Sequence, residues 1–339
     1  MMQIGLVHAR ILSISLFEYL NMNKKIFSYF TAFCMLFLLC SNFSHATHTL
    51  PNVVVSIPPL HALVAAVMEN VGTPTLLLKP GTSPHNYSLK PSEVQLLYTA
   101  DVIFWAGPNL ESFLTKILDN TKNLKTSIRT IPLVEAPGLL LLPIRANAVF
   151  EPHTHCNHAH VHDHNQVDMH FWLDPMNAKI LVNYISETLS TSDPIHKKKY
   201  QENAEKTKQS LDILDARIQN QLKALQKMPY IVFHDAYQYF EHRYGLNGVG
   251  AITINPEIPP SAKRLKTIQN IIKNTHATCV FSEPQFQSKI IKMITQGTNV
   301  NTGQLDPLGT KNKQGFNNYI FLLDNLSGAF NQCYAQGKP

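Results

Sequence analysis

Sixteen histidines in a chain of 339 residues make imidazole chemistry the first thing to explain. Neutral imidazole is a good ligand for Zn2+ and other first-row divalent ions. The histidines fall into two groups. The dense group is His153, His155, His158, His160, His162 and His164, with Cys156 and Asp163 among them. Residues 151–168 carry no periodic apolar pattern and read as a loop. A flexible His-rich loop can gather several rings around one ion, which suits adaptable metal capture better than a fixed site. The plainer reading is a solvated linker.

The sparse group is more telling. His85 stands in Pro-Gly-Thr-Ser-Pro-His-Asn-Tyr-Ser, His170 in Asp-Met-His-Phe-Trp-Leu-Asp-Pro, and His234 in Phe-His-Asp-Ala-Tyr. Asp306 stands in Gln-Leu-Asp-Pro-Leu-Gly. Three imidazoles and one carboxylate form a plausible tetrahedral zinc set. Taken singly, each of these histidines is more often a structural residue than a ligand, so the argument depends on where they fall in the fold. His61, His196, His242 and His276 lie in helical or charged surroundings and read as surface or capping residues.

The elements that must position them alternate between strand and helix. Residues 52–57 form a β-branched run, 75–79 a second strand ended by Pro80-Gly81, and 101–105 a third. Helical patterning covers about 60–70, and Pro91 opens another helix over 91–99. Residues 194–227 contain neither Gly nor an internal Pro, and Leu211, Leu214, Ile218, Leu222 and Leu225 recur at helical spacing. A single helix there would run roughly 50 Å. A second series of strands follows at 230–233, 248–254, 278–281 and 298–301. The pattern predicts α/β architecture: two parallel-sheet lobes joined by one long rigid helix. The expected divisions are an N-terminal lobe over 47–190, a linking helix over 194–227 and a C-terminal lobe over 228–339. His85 and His234 then sit past the carboxyl ends of parallel strands in different lobes, and Asp306 follows 298–301 in the same way. Open α/β sheets place ligand sites at that edge, so the metal site is expected in the cleft between the lobes.

The N-terminus reads as an upstream extension and an export signal. Lys24 and Lys25 precede an apolar run over 26–40, and Ser44-His45-Ala46 supplies a small-x-small cleavage site. The run is short for a membrane span. Cleavage after Ala46 places the mature protein in the periplasm, and Met22 is a better start than Met1. Removing 1–46 leaves 26 basic and 22 acidic residues, a net charge of +4 against +6 for the whole chain. So small a charge, with no dense Lys/Arg patch, speaks against nucleic-acid or membrane-surface binding. Three cysteines remain: Cys156, Cys279 and Cys333. In an oxidising compartment two of them are expected to pair. Cys279 and Cys333, away from the histidine clusters, are the candidate pair, although sequence alone leaves the connectivity open.

Ordered motifs across nearly the whole mature chain resemble the zinc-specific solute-binding proteins of ABC importers, the ZnuA type. They are Leu78-Lys-Pro-Gly with His85-Asn-Tyr-Ser-Leu-Lys-Pro-Ser, Trp105-Ala-Gly-Pro and His170-Phe-Trp-Leu-Asp-Pro. Phe233-His-Asp-Ala-Tyr, Asn255-Pro-Glu-Ile, Cys279-Val-Phe-Ser-Glu-Pro-Gln and Leu305-Asp-Pro-Leu-Gly continue the series. The resemblance implies metal ligation by His85, His170 and His234, a His-rich loop over 153–164 and a disulfide between Cys279 and Cys333. Some members carry Glu directly before the first ligand. Pro84 stands there in this chain, so the fourth ligand is open between Asp306, water and a loop histidine.

The expected function follows: capture of Zn2+ in the periplasm by a monomer and delivery to a membrane permease with its cytoplasmic ATPase. No enzymatic activity is expected. A manganese-binding importer component is one alternative, though harder Mn2+ prefers carboxylates where this chain has His234. A zinc hydrolase would need a general base, and no HExxH pattern is present, although Glu283 and Asp235 stay open by sequence. A metal-binding adhesin or a periplasmic zinc buffer is the third alternative.

Overall fold

The computed structural model describes residues 49–124, 128–145, 149–150, 167–286, 289–310, 315 and 317–337. The proposed leader 1–46, the tract 153–164 and Cys156 lie outside the described residues. The N-terminal sheet contains β1 (Val53–Val55), β2 (Thr75–Leu76), β3 (Val102–Trp105) and β4 (Arg129–Pro132), in the order β2-β1-β3-β4. The C-terminal sheet contains β5 (Tyr230–His234), β6 (Gly248–Thr253), β7 (Cys279–Ser282) and β8 (Asn301–Gln304), in the order β6-β5-β7-β8. All the pairings within these sheets are parallel. The inner strands Val-Val-Val and Val-Ile-Phe-Trp are wholly buried, as parallel strands covered on both faces must be.

Nine helices accompany them among the described residues: α1 (Pro58–Val67), α2 (Pro91–Thr99), α3 (Ser112–Leu124), α4 (Pro175–Ser192), α5 (Lys197–Leu222), α6 (Gln238–Tyr244), α7 (Ala262–Thr275), α8 (Lys289–Thr295) and α9 (Asn317–Ala335). None is long and apolar enough to cross a membrane. The long helix expected over 194–227 is α5 with a 3-10 turn at each end, Pro194–His196 and Lys223–Leu225. Its 26 residues span about 39 Å. Tyr200, Leu211, Leu214, Ile218 and Leu222 form its buried stripe.

That stripe ties the lobes together. α5 packs against α1, α4 and α9, and α9 also packs against α1. One continuous buried cluster therefore runs from Val54 and Phe104 through Leu211 and Ile218 to Phe281 and Phe330. The period-two alternation of β5 separates its two faces: Tyr230 and Val232 join this shared core, whereas Ile231 and Phe233 pack with Ile268 and Ile291 in a smaller cluster. A close-packed core shared by both lobes resists wide hinge motion.

Three features depart from the sequence expectations. β4 and α4 had no clear strand or helix signature of their own, because Arg129-Thr-Ile-Pro is only half-buried and α4 carries many polar residues. The last strand is Asn301–Gln304 rather than 298–301, since Gly297 adopts a positive φ of 75° and Thr298 still bonds back to Thr295 O. His61 is a core residue and not a surface one. It lies on the buried face of α1 with Nε2 3.0 Å from Pro74 O, which gives that nitrogen a partner inside the fold.

Cys279, at the start of β7, and Cys333, on α9, form a disulfide closing a sequence separation of 54 residues. A loop of that length corresponds to about 4 kcal/mol in the chain-entropy view of the unfolded state.

Candidate metal centre

The three histidines of the sparse group converge from three separate segments. His234 is the last residue of β5, so the strand itself aims its ring past the carboxyl edge of the C-terminal sheet. His170 opens the 3-10 turn Phe171–Leu173, which leads through the Asp174 cap into α4. His85 sits on the loop after β2. The Tyr87 hydroxyl and the Lys90 backbone N–H both donate to Glu93 and pin that loop to the start of α2.

Their ring centroids lie 5.6 Å (His85–His170), 5.4 Å (His85–His234) and 5.3 Å (His170–His234) apart. One nitrogen from each can be chosen so that all three lie within 4.8 Å of one another. The Nε2 atoms of His170 and His234 are 3.4 Å apart. Two nitrogens bound at about 2.05 Å to a tetrahedral zinc ion are separated by about 3.3 Å. The pair is already at metal-binding span.

Buried carboxylates hold two of the rings from behind. Asp168 Oδ1 lies 2.7 Å from His170 Nδ1 and also accepts the His170 backbone N–H. Glu283, one residue past β7, places its two oxygens 2.7 and 2.9 Å from His234 Nδ1, and Oε1 also accepts the Tyr237 hydroxyl at 3.1 Å. A ring that donates from Nδ1 to a carboxylate presents Nε2 as its lone pair, so both second partners select the tautomer a metal needs. His85 is kept neutral by a different route. Burial comes first, and the neighbouring His234 and His170 add to it, holding its pKa well below the ordinary 6.5. Trp172, Phe286, Pro307 and Leu308 line the remaining walls and leave room for about one water molecule.

Asp306 takes a different position from the one sequence suggested. Its Oδ1 accepts from Gln285 Nε2 and the N–H groups of Leu308 and Gly309, and its Oδ2 accepts from the N–H and hydroxyl of Thr310. Both oxygens are engaged in shaping the 306–310 loop, and among the described residues the metal-competent cluster is His85, His170 and His234 alone. That loop still matters to the cleft, because Trp172 Nε1 donates to Pro307 O at 2.9 Å. The carboxylates that do serve the site, Asp168 and Glu283, are residues to which sequence reasoning gave no such role. The available signal was Glu283's place just past a strand adjacent to the one ending in His234.

The family model described as "Zinc-uptake complex component A periplasmic" (ZnuA) matches residues 53–333. The chain belongs to the ZnuA family. Among relatives, the "High-affinity zinc uptake system protein ZnuA" of Brucella suis biovar 1 (strain 1330) is 42% identical over 309 residues, covering 84% of this chain and 92% of that protein. The protein of the same description from Yersinia pestis is 37% identical over 289 residues, covering 83% and 90%. Among solved structures, a mutant of the laminin-binding adhesin Lmb from Streptococcus agalactiae superposes with a TM-score of 0.68 at 26% identity, covering 85% of this chain and all of that one. The ZnuA family supplies the two-lobed fold, and His85, His170 and His234 cluster between residues of its two lobes.

Proposed function

We propose that this chain is the periplasmic zinc-binding component of an ABC importer, which captures Zn2+ between its lobes and delivers it to a membrane permease served by a cytoplasmic ATPase. The observation that carries the reading is the 3.4 Å separation of two Nε2 atoms whose Nδ1 atoms are held by buried carboxylates. An all-imidazole cluster suits borderline Zn2+ better than harder Mn2+. His85, His170 and His234 are the proposed ligands, with the fourth position left to water or a histidine of the 153–164 tract. That tract serves as auxiliary capture: it re-enters the described fold at Val167, three residues before His170. Export by a signal peptide cleaved after Ala46, and action as a monomer, complete the proposal.

Catalysis is not part of it. Both oxygens of Glu283 are engaged with His234 and Tyr237, and Asp235 is paired with Arg145, so neither carboxylate is free to act as a base at an open metal position.

Competitive zinc titration of the 47–339 chain tests the reading, alongside His85→Ala, His170→Ala, His234→Ala and a deletion of 153–164. Each point change is expected to abolish the tight site and the deletion only weaker binding. Point variants that bind as tightly as wild type would overturn it.

A further inference from the structure

Between β4 and the His-rich tract the chain runs through residues 139–145, and this strap bonds to both ligand-bearing turns. Leu142 O accepts the N–H of Asp168, the residue whose carboxylate holds His170. The Leu142 N–H donates to the Tyr239 hydroxyl, which in turn donates to Asp168 O at 2.7 Å, so a C-lobe helix residue closes the link. Three residues further on, Arg145 reaches the C-terminal lobe. Its guanidinium lies 2.7 Å from Asp235 Oδ1 and 2.5 Å from Glu241 Oε2. Asp235 follows the ligand His234 directly, in a turn where the Ala236 N–H donates to His234 O.

The Arg145 contact is built rather than incidental. The side chains of Arg145, Asp235 and Glu241 are only 14%, 9% and 0% exposed. The other oxygen of Glu241 accepts from the Tyr230 hydroxyl at 2.9 Å. Gly248 leaves the room this carboxylate occupies, since a Cβ there would stand 2.4 Å from Glu241 Oε1. The guanidinium also lies 3.9 Å over the Phe150 ring, and Phe150 donates its N–H to Val249 O at the outer edge of β6. A planar fork with several donors can hold two carboxylates at once, which a lysine ammonium on its flexible stem cannot match in geometry.

We propose that Arg145 is a positioning residue of the metal site: by clasping Asp235 and Glu241 it fixes the turn that carries His234, and with the Leu142 links it couples that turn to the His170 turn across the cleft. This rests on the three-histidine site proposed above. The Tyr237–Glu283 bond holds the His234 turn from the inside, and Arg145 holds it from the outside. Loss of the outer hold leaves the three ligands in place but lets His234 leave the metal more readily.

The test measures zinc release to an excess of chelator, and the visible spectrum of the Co2+-loaded protein, for wild type, Arg145→Lys and the triple variant Arg145→Met/Asp235→Asn/Glu241→Gln. The triple variant removes the clasp without stranding buried charge, so it is suited to folding. Arg243→Met, which breaks the Arg243–Asp215 pair, controls for general loss of stability. The triple variant is expected to release zinc about 10- to 100-fold faster, with altered Co2+ bands. Arg145→Lys is expected to fall between it and wild type, and Arg243→Met to match wild type in both readouts. Wild-type release and an unchanged Co2+ spectrum in the triple variant would overturn the proposal. So would equally fast release from Arg243→Met. Absence of tight zinc binding in wild type itself sinks instead the three-histidine reading beneath it.

Discussion

His234 ends β5 and Glu283 lies one residue past the adjacent parallel strand β7, and the fold returns this carboxylate, 49 positions further along the chain, to within 2.7 Å of the imidazole Nδ1. The pair is buried, with side-chain exposures of 3% and 1%. A carboxylate so placed fixes the ring's orientation and strengthens its other nitrogen as a donor to metal. Glu283→Ala is therefore expected to weaken zinc binding by about 10- to 100-fold while keeping one tight ion per chain. Glu283→Gln, which retains an acceptor but no charge, should fall between. Competitive titration decides the matter: a Glu283→Ala protein with wild-type affinity has no need of this partner.

The neutral state of His85 has a consequence for acid stability. Its pKa in the fold lies well below 6.5, whereas in the unfolded chain it returns to about 6.5. Between those two values the unfolded chain binds the extra proton. Stability from this group is thus complete above about pH 6.5 and is lost as pH falls through the window below it. The melting temperature of the metal-free protein should decline from pH 7 to pH 5, and His85→Ala should flatten part of that slope. An identical slope in both proteins would remove His85 from the account.

Asp306→Asn tests the loop-shaping role of that residue. If the carboxylate only shapes the 306–310 loop, the amide loses the bonds to the Thr310 N–H and hydroxyl, and stability falls by about 1–3 kcal/mol. Zinc affinity should then change far less than in His85→Ala. Equal losses of affinity in the two variants would make Asp306 a ligand in the loaded protein.

Glu111 offers a stability test remote from the histidines. It is fully buried, and one oxygen accepts the N–H groups of Ala106 and Gly107 just past β3. Burial is the main cause that pushes its carboxyl from 4.5 up to about 7, against the lowering effect of these bonds and Ser56. The folded protein therefore keeps a proton that the unfolded chain has released between pH 4.5 and 7. Stability falls as pH rises through that window, by on the order of 3 kcal/mol in full. Glu111→Gln mimics the protonated acid and should raise the melting temperature at pH 8, with the difference closing near pH 5. A variant less stable than wild type at pH 8 would show that the ionised form is favoured.

Much of this protein is legible from its sequence because the physics involved is local. Val53-Val-Val and Tyr230-Ile-Val-Phe are strands by their own residue types, and a parallel sheet puts the residue after such a strand at its carboxyl edge. That places His234 before any coordinates are known. The α5 stripe is equally local, since its apolar spacing lies within one helix. What tertiary structure alone decides is which polar groups meet. His61 and His170 are the same residue type, yet one bonds Pro74 O inside the N-terminal lobe and the other faces His234 across the cleft. Asp306 has the chemistry of a zinc ligand, but backbone N–H groups two to four residues onward take its oxygens first. Glu283 and Arg145 gain their roles from partners 49 and 90 residues away. Residue type sets what a side chain can bind, and only the packed fold sets which competitor reaches it.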